Sequence, residues 1–408
     1  MKKPSIVASI DVGTTKVCTI IAEVYDGGVI QVAGVGVSSS KGLHKGLVVN
    51  MNEARESIRD SVRKAEQISS YKVESAYVGV TGRHVNSVNN RGVVAITRND
   101  RLVRPEDLRR VLTCAQNIKI PSDRKLLHVI SRGYTVDGQM GVKNPVGMHG
   151  FKLDVETHII TAGVTSVQNL VRCIRSIGIE VEDLVLEPLA SSEAILTEDE
   201  KQVGVVLADI GGGTTDVAIF KDGSIWHTSI LPVAGYQVTR DVAIGLGLPF
   251  DVAEEMKKKY GSVMPVSEGK TENANPLSEN GHGISYQDLC DIIKARIEEV
   301  VRLILLELPR TEYEALVPAG LVLTGGSSNL SGIEALGREI SRLPVRVGVP
   351  MRVGVPTEMY GITDTLRDPA YATSVGLLLW GVKNERKQSW RSPGFLRKFI
   401  FRMRNLFR

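Results

Sequence analysis

Two stretches of this sequence nearly superimpose: IVASIDVGTTKVCTIIAEVY, Ile6 to Tyr25, and VVLADIGGGTTDVAIF, Val205 to Phe220. Each is a short run rich in Val and Ile, then an Asp, a turn of Gly and Thr, and a second apolar run. That order predicts a β-hairpin whose first strand is buried and ends at the acid, so Asp11 and Asp209 take equivalent places at two strand ends. A single Asp-Gly turn is an ordinary hairpin connection. Two copies so far apart in one chain point instead to a duplicated architecture. A Gly/Thr turn presents several backbone N–H groups and hydroxyls along one concave path, a nest suited to phosphate. A carboxylate at each edge can hold Mg²⁺ mostly through water, because that ion dehydrates reluctantly and takes few protein ligands. Two such loops facing each other would grip a nucleotide between two lobes.

Two further segments belong to the same reading. LVLTGGSSNLSG, Leu321 to Gly332, is a buried strand running into Gly325, Gly326 and Ser327, with a helix expected from Gly332. VEDLVLEPLASSEAIL, Val181 to Leu196, is a strand into Glu187, with Pro188 at the first helical position. Glu187 can simply precede a helix start, or its carboxylate can point into the cleft and position a water for attack on a γ-phosphate, since phosphoryl transfer rests on positioning and charge. Neither GxxxxGK[ST] nor GxGxxG follows any strand. The phosphate grip is therefore of the hairpin kind.

The 408 residues exceed one ordinary domain, and 42% apolar with 24% charged residues is a globular composition. The net charge of +4 hides an asymmetry. Residues 383–408 hold nine basic residues and one acid, leaving 41 basic against 45 acidic residues before them. The positive charge thus argues for a tail with an anionic partner and against a nucleic-acid-binding body. The four cysteines have no zinc-type spacing and fit reduced thiols in a cytoplasm. No stretch reaches the roughly 20 apolar residues of a membrane span, and the apolar run within the N-terminal MKKPSIVASI is broken by Ser9 and stopped by Asp11, too short for a signal peptide.

The tail has a pattern of its own. KNERKQSWRS is polar and reads as a linker, and Pro393 and Gly394 punctuate the start of a last helix. Phe395, Leu396, Phe399, Ile400, Met403, Leu406 and Phe407 fall within one arc of about 140°, with Arg397, Arg404 and Arg408 opposite. Such a helix buries its apolar face at a headgroup boundary while its cations meet anionic lipid, at roughly 1 kcal/mol per Lys or Arg. A terminal helix packed on its own domain or on a partner helix is the other reading.

Taken in order, IDVGTTKV, VLEPLASSEA, ADIGGGTTDVAIF, LTGGSSNL and DPAYATSVGLLLWG resemble the motifs of the actin-like ATPase superfamily and, within it, the FtsA family of bacterial cell-division proteins. The resemblance implies an α/β fold: two actin-like lobes around an ATP cleft, an FtsA-type inserted subdomain and a C-terminal amphipathic helix. It divides the chain into subdomain 1A (1–80 and 162–201), the insert 1C (81–161), 2A (202–227 and 317–382), 2B (228–316), a linker (383–392) and a membrane-targeting helix (393–408). Within the insert the expected order is strand 76–80, strand 92–97, helix 105–118, and strands near 125–136 and 149–160, similar also to the pilus-assembly protein PilM. Carried over by position, Asp11, Thr14, Thr15 and Lys16 form the first phosphate loop, and Asp209, Gly211, Gly212, Gly213, Thr214 and Thr215 the second. Asp11 and Asp209 would hold Mg through water, and Gly235 lies near the phosphates. Thr324, Gly325, Gly326 and Ser327 would flank the adenosine, and Glu254 and Lys257 the ribose and adenine, although an i,i+3 pair is equally an exposed ion pair. Glu187 matches the water-positioning acid of a weak ATPase.

The resemblance further implies filament formation and docking of the FtsZ C-terminal peptide on the lobe containing Arg296 and Glu299, which otherwise read as a solvated helix face. The expectation is a cytoplasmic, peripheral adaptor that tethers FtsZ and other division proteins to the anionic inner face of the membrane at the septum. A PilM-like pilus-assembly platform is the alternative, and a sugar kinase or chaperone ATPase a third class.

Overall fold

The computed structural model describes residues 4–26, 28–264, 285–308, 316–350, 359–361 and 364–389. The amphipathic tail 393–408 and nearly all of the polar loop 262–282 lie outside the described residues.

Lobe one is organised by the first hairpin. β1 (Ser5–Val12) and β2 (Lys16–Val24) pair antiparallel from Ser5 opposite Val24 to Val12 opposite Val17, and β3 (Ile30–Ser39) continues the sheet. A two-residue ladder, β4 (Leu43–His44) and β5 (Leu47–Val48), precedes α1 (Met51–Ser69). Asn50 caps α1 by accepting from the Asn52 and Glu53 amides, and Ala54, Ile58, Val62 and Ala65 recur at the helical period to cover the sheet. β6 (Ser75–Val80) then runs parallel to β1.

The insert follows: β7 (Val85–Ala95), α2 (Pro105–Gln116), β8 (Arg124–Val136), β9 (Gln139–Val142) and β10 (Lys152–Gly163), in the sheet order β7-β10-β8-β9. It has its own small core of Ile96, Val103, Val111, Ala115, Val136, Leu153 and Val155. β7 starts earlier than the expected 92–97, because Asn86, Ser87, Asn89 and Asn90 interrupt the apolar alternation although every one of them pairs with β10. The chain returns to lobe one through α3 (Val164–Arg175) and β11 (Glu180–Leu186), which is parallel to β6. α4 (Glu187–Ile195) begins on Glu187 itself, with Pro188 second.

After α5 (Glu198–Val203), lobe two repeats the plan. β12 (Val205–Ile210) and β13 (Thr215–Lys221) form the second hairpin and β14 (Ser224–Leu231) extends it. α6 (Gly235–Leu246), α7 (Phe250–Tyr260) and α8 (Tyr286–Leu306) cover one face of the sheet with a core that includes Val238, Val242, Ile293, Ile297 and Val300. β15 (Leu321–Thr324) pairs parallel to β12, and β16 (Val345–Val347) to β15.

The last segments depart from the expected boundaries. β17 (Met359–Gly361) joins the sheet of lobe one beside β3, and the helix Ala372–Ser389 packs on α4, β1, β2 and β6, so these stretches of 317–382 lie with lobe one. That helix also continues past Lys383 into the segment read as a linker; Lys, Glu, Arg and Gln are good helix formers and no Gly or Pro intervenes before Ser389. Its contact with α4 is close because Gly376 has no side chain: a Cβ there would stand 1.8 Å from the Ala190 carbonyl oxygen. Gly376→Val is therefore expected to cost at least about 1–3 kcal/mol of stability through overpacking, read as a lower urea midpoint; an unchanged midpoint contradicts this account of the helix contact.

Candidate nucleotide and metal site between the lobes

The two hairpin turns close in the same way. The Gly13 amide donates to the Lys16 carbonyl at 3.0 Å, and the Gly211 amide to the Thr214 carbonyl at 2.9 Å. The turns also meet. A Cβ on Gly212 would lie 2.3 Å from Thr15 Cγ2, and one on Gly213 2.5 Å from Thr14 Oγ1, so the second loop must be glycine for the first to approach. The N-terminus of α6 closes on the same place: the Gly235 and Tyr236 amides donate to the carbonyls of Gly211 and Gly212 at 3.1 and 2.7 Å.

Four carboxylates from separate elements converge below these turns, all buried: Asp11, Glu187, Asp209 and Asp216. Asp11 accepts from Ser374 Oγ at 2.7 Å. Asp209 accepts from Ser191 at 2.8 Å and Thr373 at 3.0 Å. Asp216 accepts from Thr81 Oγ1 at 2.8 Å. Burial, and then the neighbouring carboxylates, push Glu187 well above the usual carboxylate range. Burial also raises Asp11 and Asp209, against the opposing pull of Lys16 and of their hydroxyl donors. Asp216 rises to about 8, first by burial and then by the charge of Asp209 directly across the ladder. Lys16 donates to the Ala370 carbonyl and lies 4.8 Å from the centre of the Tyr371 ring, tying the first loop to the turn before the last helix.

This donor set suits a hydrated divalent cation. Buried like charges disfavour ionisation unless a counter-charge enters, and among the described residues no three acid, His or Cys side chains close into a direct metal cage. A cation that keeps its waters, such as Mg²⁺, fits such a set. Beside Glu187 a small cavity lined by Val12, Gly46, Thr81, His84 and Ser166 opens into lobe one.

The expected adenosine side gathers around Gly235. Lys257 Nζ donates to Glu254 at 2.6 Å, Thr239 Oγ1 at 2.8 Å and the Gly235 carbonyl at 3.3 Å, so the i,i+3 pair is turned into the protein and is not a solvated ion pair. Ser327 Oγ donates to the Gly211 carbonyl at 2.9 Å. Gly325, at φ +85°, passes close over Asp209 and Ile210. Thr324 is fully buried, and its hydroxyl donates to the Gly348 and Pro369 carbonyls at 3.0 and 3.3 Å, holding the strand end in place. Arg296 and Glu299 stand elsewhere, on α8, where Arg296 pairs with Glu299 and with Asp241 of α6.

Asp216 and its partner Thr81 join the site in addition to the residues expected from the motifs. The signal was present in GGGTTD: a turn of fixed length places Asp216 opposite Asp209, as the first hairpin places Cys18 opposite Asp11.

Comparison with known proteins now decides the family. Residues 206–376 match the family model for cell division protein FtsA, and residues 82–161 match the SHS2 domain inserted in FtsA. The cell division protein FtsA of Pseudomonas aeruginosa is 42% identical over 382 residues, covering 93% of this chain and 90% of that protein. The chain belongs to the FtsA family. FtsA of Neisseria meningitidis is 39% identical over 376 residues, with 91% of this chain and 89% of that protein covered. FtsA of Escherichia coli K12 is 32% identical over 386 residues, with 92% and 90% covered. Solved structures show the fold at low identity. A chain of the PilM-PilN type IV pilus biogenesis complex matches at TM-score 0.64 and 15% identity, covering 92% of this chain and 98% of its own. MreB5 of Spiroplasma citri bound to ADP matches at TM-score 0.54 and 14% identity, covering 95% and 99%. This FtsA-family chain is thus actin-like in fold, with the inserted domain as expected.

The carboxylate cluster makes stability depend on pH. Asp216 holds its proton to about pH 8 in the folded chain against an ordinary value of 3.8. The contribution of that raised value is fully present below about pH 4 and is lost progressively as pH rises to about 8, at up to about 1.4 kcal/mol per unit. In chelator, Asp216→Asn is expected to flatten this decline between pH 5 and 8. Parallel curves of denaturation midpoint against pH for the two proteins would contradict the assignment.

Proposed function

We propose that the interlobe cleft binds ATP with Mg²⁺, and that the protein is an actin-like cell-division adaptor that self-associates and tethers FtsZ to the inner face of the membrane. The observation that carries the nucleotide reading is the meeting of the two Gly/Thr turns above four buried acids from both lobes. In this reading the backbone N–H groups and hydroxyls of Thr14, Thr15 and residues 211–215 cradle the phosphates. Asp11 and Asp209 hold Mg²⁺ through water, and the bound ion neutralises phosphate charge. Ser327, Gly325 and the Glu254–Lys257 pair flank the adenosine, while Glu187, at the first position of α4, orients a water for a slow hydrolysis that limits the lifetime of the bound state. ATP favours the conformation it binds more tightly, so a closed cleft becomes the polymer-forming state.

Membership of the FtsA family and the basic amphipathic pattern of 393–408 support the adaptor role. Among the described residues no helix is long and apolar enough to cross a membrane, and a terminal amphipathic helix supplies attachment from the side. Each anchor is weak, and many copies in one filament add up to strong avidity. The α8 face carrying Arg296 and Glu299 receives the FtsZ C-terminal peptide in this reading. The PilM-like platform has the fold alone in its favour.

Two measurements test the proposal. Asp209→Ala is expected to lower ATP affinity roughly 10- to 100-fold, the equivalent of about 1.5–3 kcal/mol for a charged contact, with far-UV circular dichroism unchanged; undiminished affinity removes the phosphate and metal assignment. FtsZ is expected to co-sediment with anionic vesicles and ATP when the full chain is present, but not with a chain ending at Ser389 or with Phe399→Glu/Phe407→Glu. If FtsZ never pellets although the protein does, the tethering role fails and the anchor stands.

A further inference from the structure

The inserted subdomain is covalently part of lobe one, leaving the sheet at Val80 and returning at Gly163. Its side chains nevertheless reach β14 of lobe two. Ser87 Oγ donates to the Thr228 carbonyl at 2.9 Å. Asn89 Nδ2 donates to the Trp226 carbonyl at 3.2 Å. His158 lies between them, with Nδ1 2.6 Å from Asn89 Oδ1 and Nε2 2.9 Å from Thr228 Oγ1. Burial keeps this imidazole neutral, its pKa lowered to about 4. Since Asn89 Oδ1 can only accept, Nδ1 carries the proton, and Nε2 accepts from the Thr228 hydroxyl. The bonds therefore form a closed relay that starts and ends on β14. The Arg132 guanidinium lies 4.2 Å from the centre of the Trp226 ring on the same strand.

The insert also grips the catalytic side of lobe one. His128 Nε2 accepts the Leu186 N–H at 3.1 Å, immediately before Glu187, and its ring meets Trp380 edge-on at 5.6 Å. Where the chain leaves β6 for the insert, Thr81 donates to the cleft acid Asp216 at 2.8 Å. Hydrogen bonds fail steeply beyond about 3.5 Å or when their angles open. Contacts made on both sides of one cleft cannot all survive a change in its width unless the insert moves with it.

We propose that the insert is a strap across the interlobe cleft: Ser87, Asn89 and His158 fasten it to β14, His128 fastens it to the Leu186–Glu187 junction, and its orientation is thereby coupled to cleft occupancy. The inference rests on the reading of the cleft as a nucleotide site. Its outer surface then reports the state of the cleft to whatever binds there, and by linkage anything that reorients the insert alters nucleotide affinity by the same factor.

Amide hydrogen exchange of the full chain, with and without Mg-ATP, tests this. Nucleotide is expected to slow exchange in residues 11–15 and 209–215 and, several-fold, in residues 85–95 and 126–136 of the insert. In Ser87→Ala/Asn89→Ala the cleft protection should persist while the response of the insert disappears, and ATP affinity should shift by the factor lost. Asn89→Ala alone gives the same reading if the double variant does not fold. Cleft protection without any response in the insert, or an undiminished response in the variants, overturns the strap. Absence of protection in the cleft overturns the nucleotide reading and the strap with it.

Discussion

Repulsion among carboxylates that cannot reach water is the constraint around which the rest of this molecule is arranged. Asp11 and Asp209 end equivalent strands of two sheets, Asp216 stands across the ladder from Asp209, and Glu187 opens the helix that packs between the lobes. Each of the three aspartates is given hydroxyl donors, Ser374, Ser191, Thr373 and Thr81, which satisfy lone pairs without neutralising charge. The remaining imbalance is met by protons or by a cation. A ligand that brings a divalent ion stabilises this arrangement of the lobes in proportion to its binding.

The surrounding fold serves the meeting of the two hairpins. Glycines at 212 and 213 let the loops touch, and Gly376 lets the last helix seat directly on α4, the element that carries Glu187. The insert is a compact unit with its own core, yet it contacts both lobes at residues adjacent to cleft acids. A third body with its own core that is hydrogen-bonded to each of two lobes ties their relative placement to its own.

Much of this was legible in the residues themselves. The duplicated hairpins, the position of Asp11 and Asp209 at strand ends, Glu187 at a helix start and the order of elements in the insert other than the short β9 all follow from apolar runs, turn residues and Pro placement. β7 is longer than its apolar pattern suggests because its first half is polar: Asn86, Ser87, Asn89 and Asn90 pair with β10 along the backbone while Ser87 and Asn89 use their side chains on lobe two. The Glu254–Lys257 pair matched its spacing, but its burial against Thr239 and Gly235 depends on how α7 packs on α6. The last helix runs through Ser389 across a segment whose polar residues carry no apolar stripe and hence no periodic signal, although their helix propensity is high.

Local units are written in the residues, because strand, turn and cap signals act over a few positions, and the motifs within those units carry the resemblance to the FtsA family that the relatives at 32–42% identity then show. Tertiary structure decided which units share a site. The pairing of Met359–Gly361 with β3, the return of the last helix to lobe one, the gathering of four acids and the closed relay from the insert to β14 all join residues distant in the chain. Such contacts depend on distance, burial and direction, and these come into being only when separate parts of the chain are packed against one another.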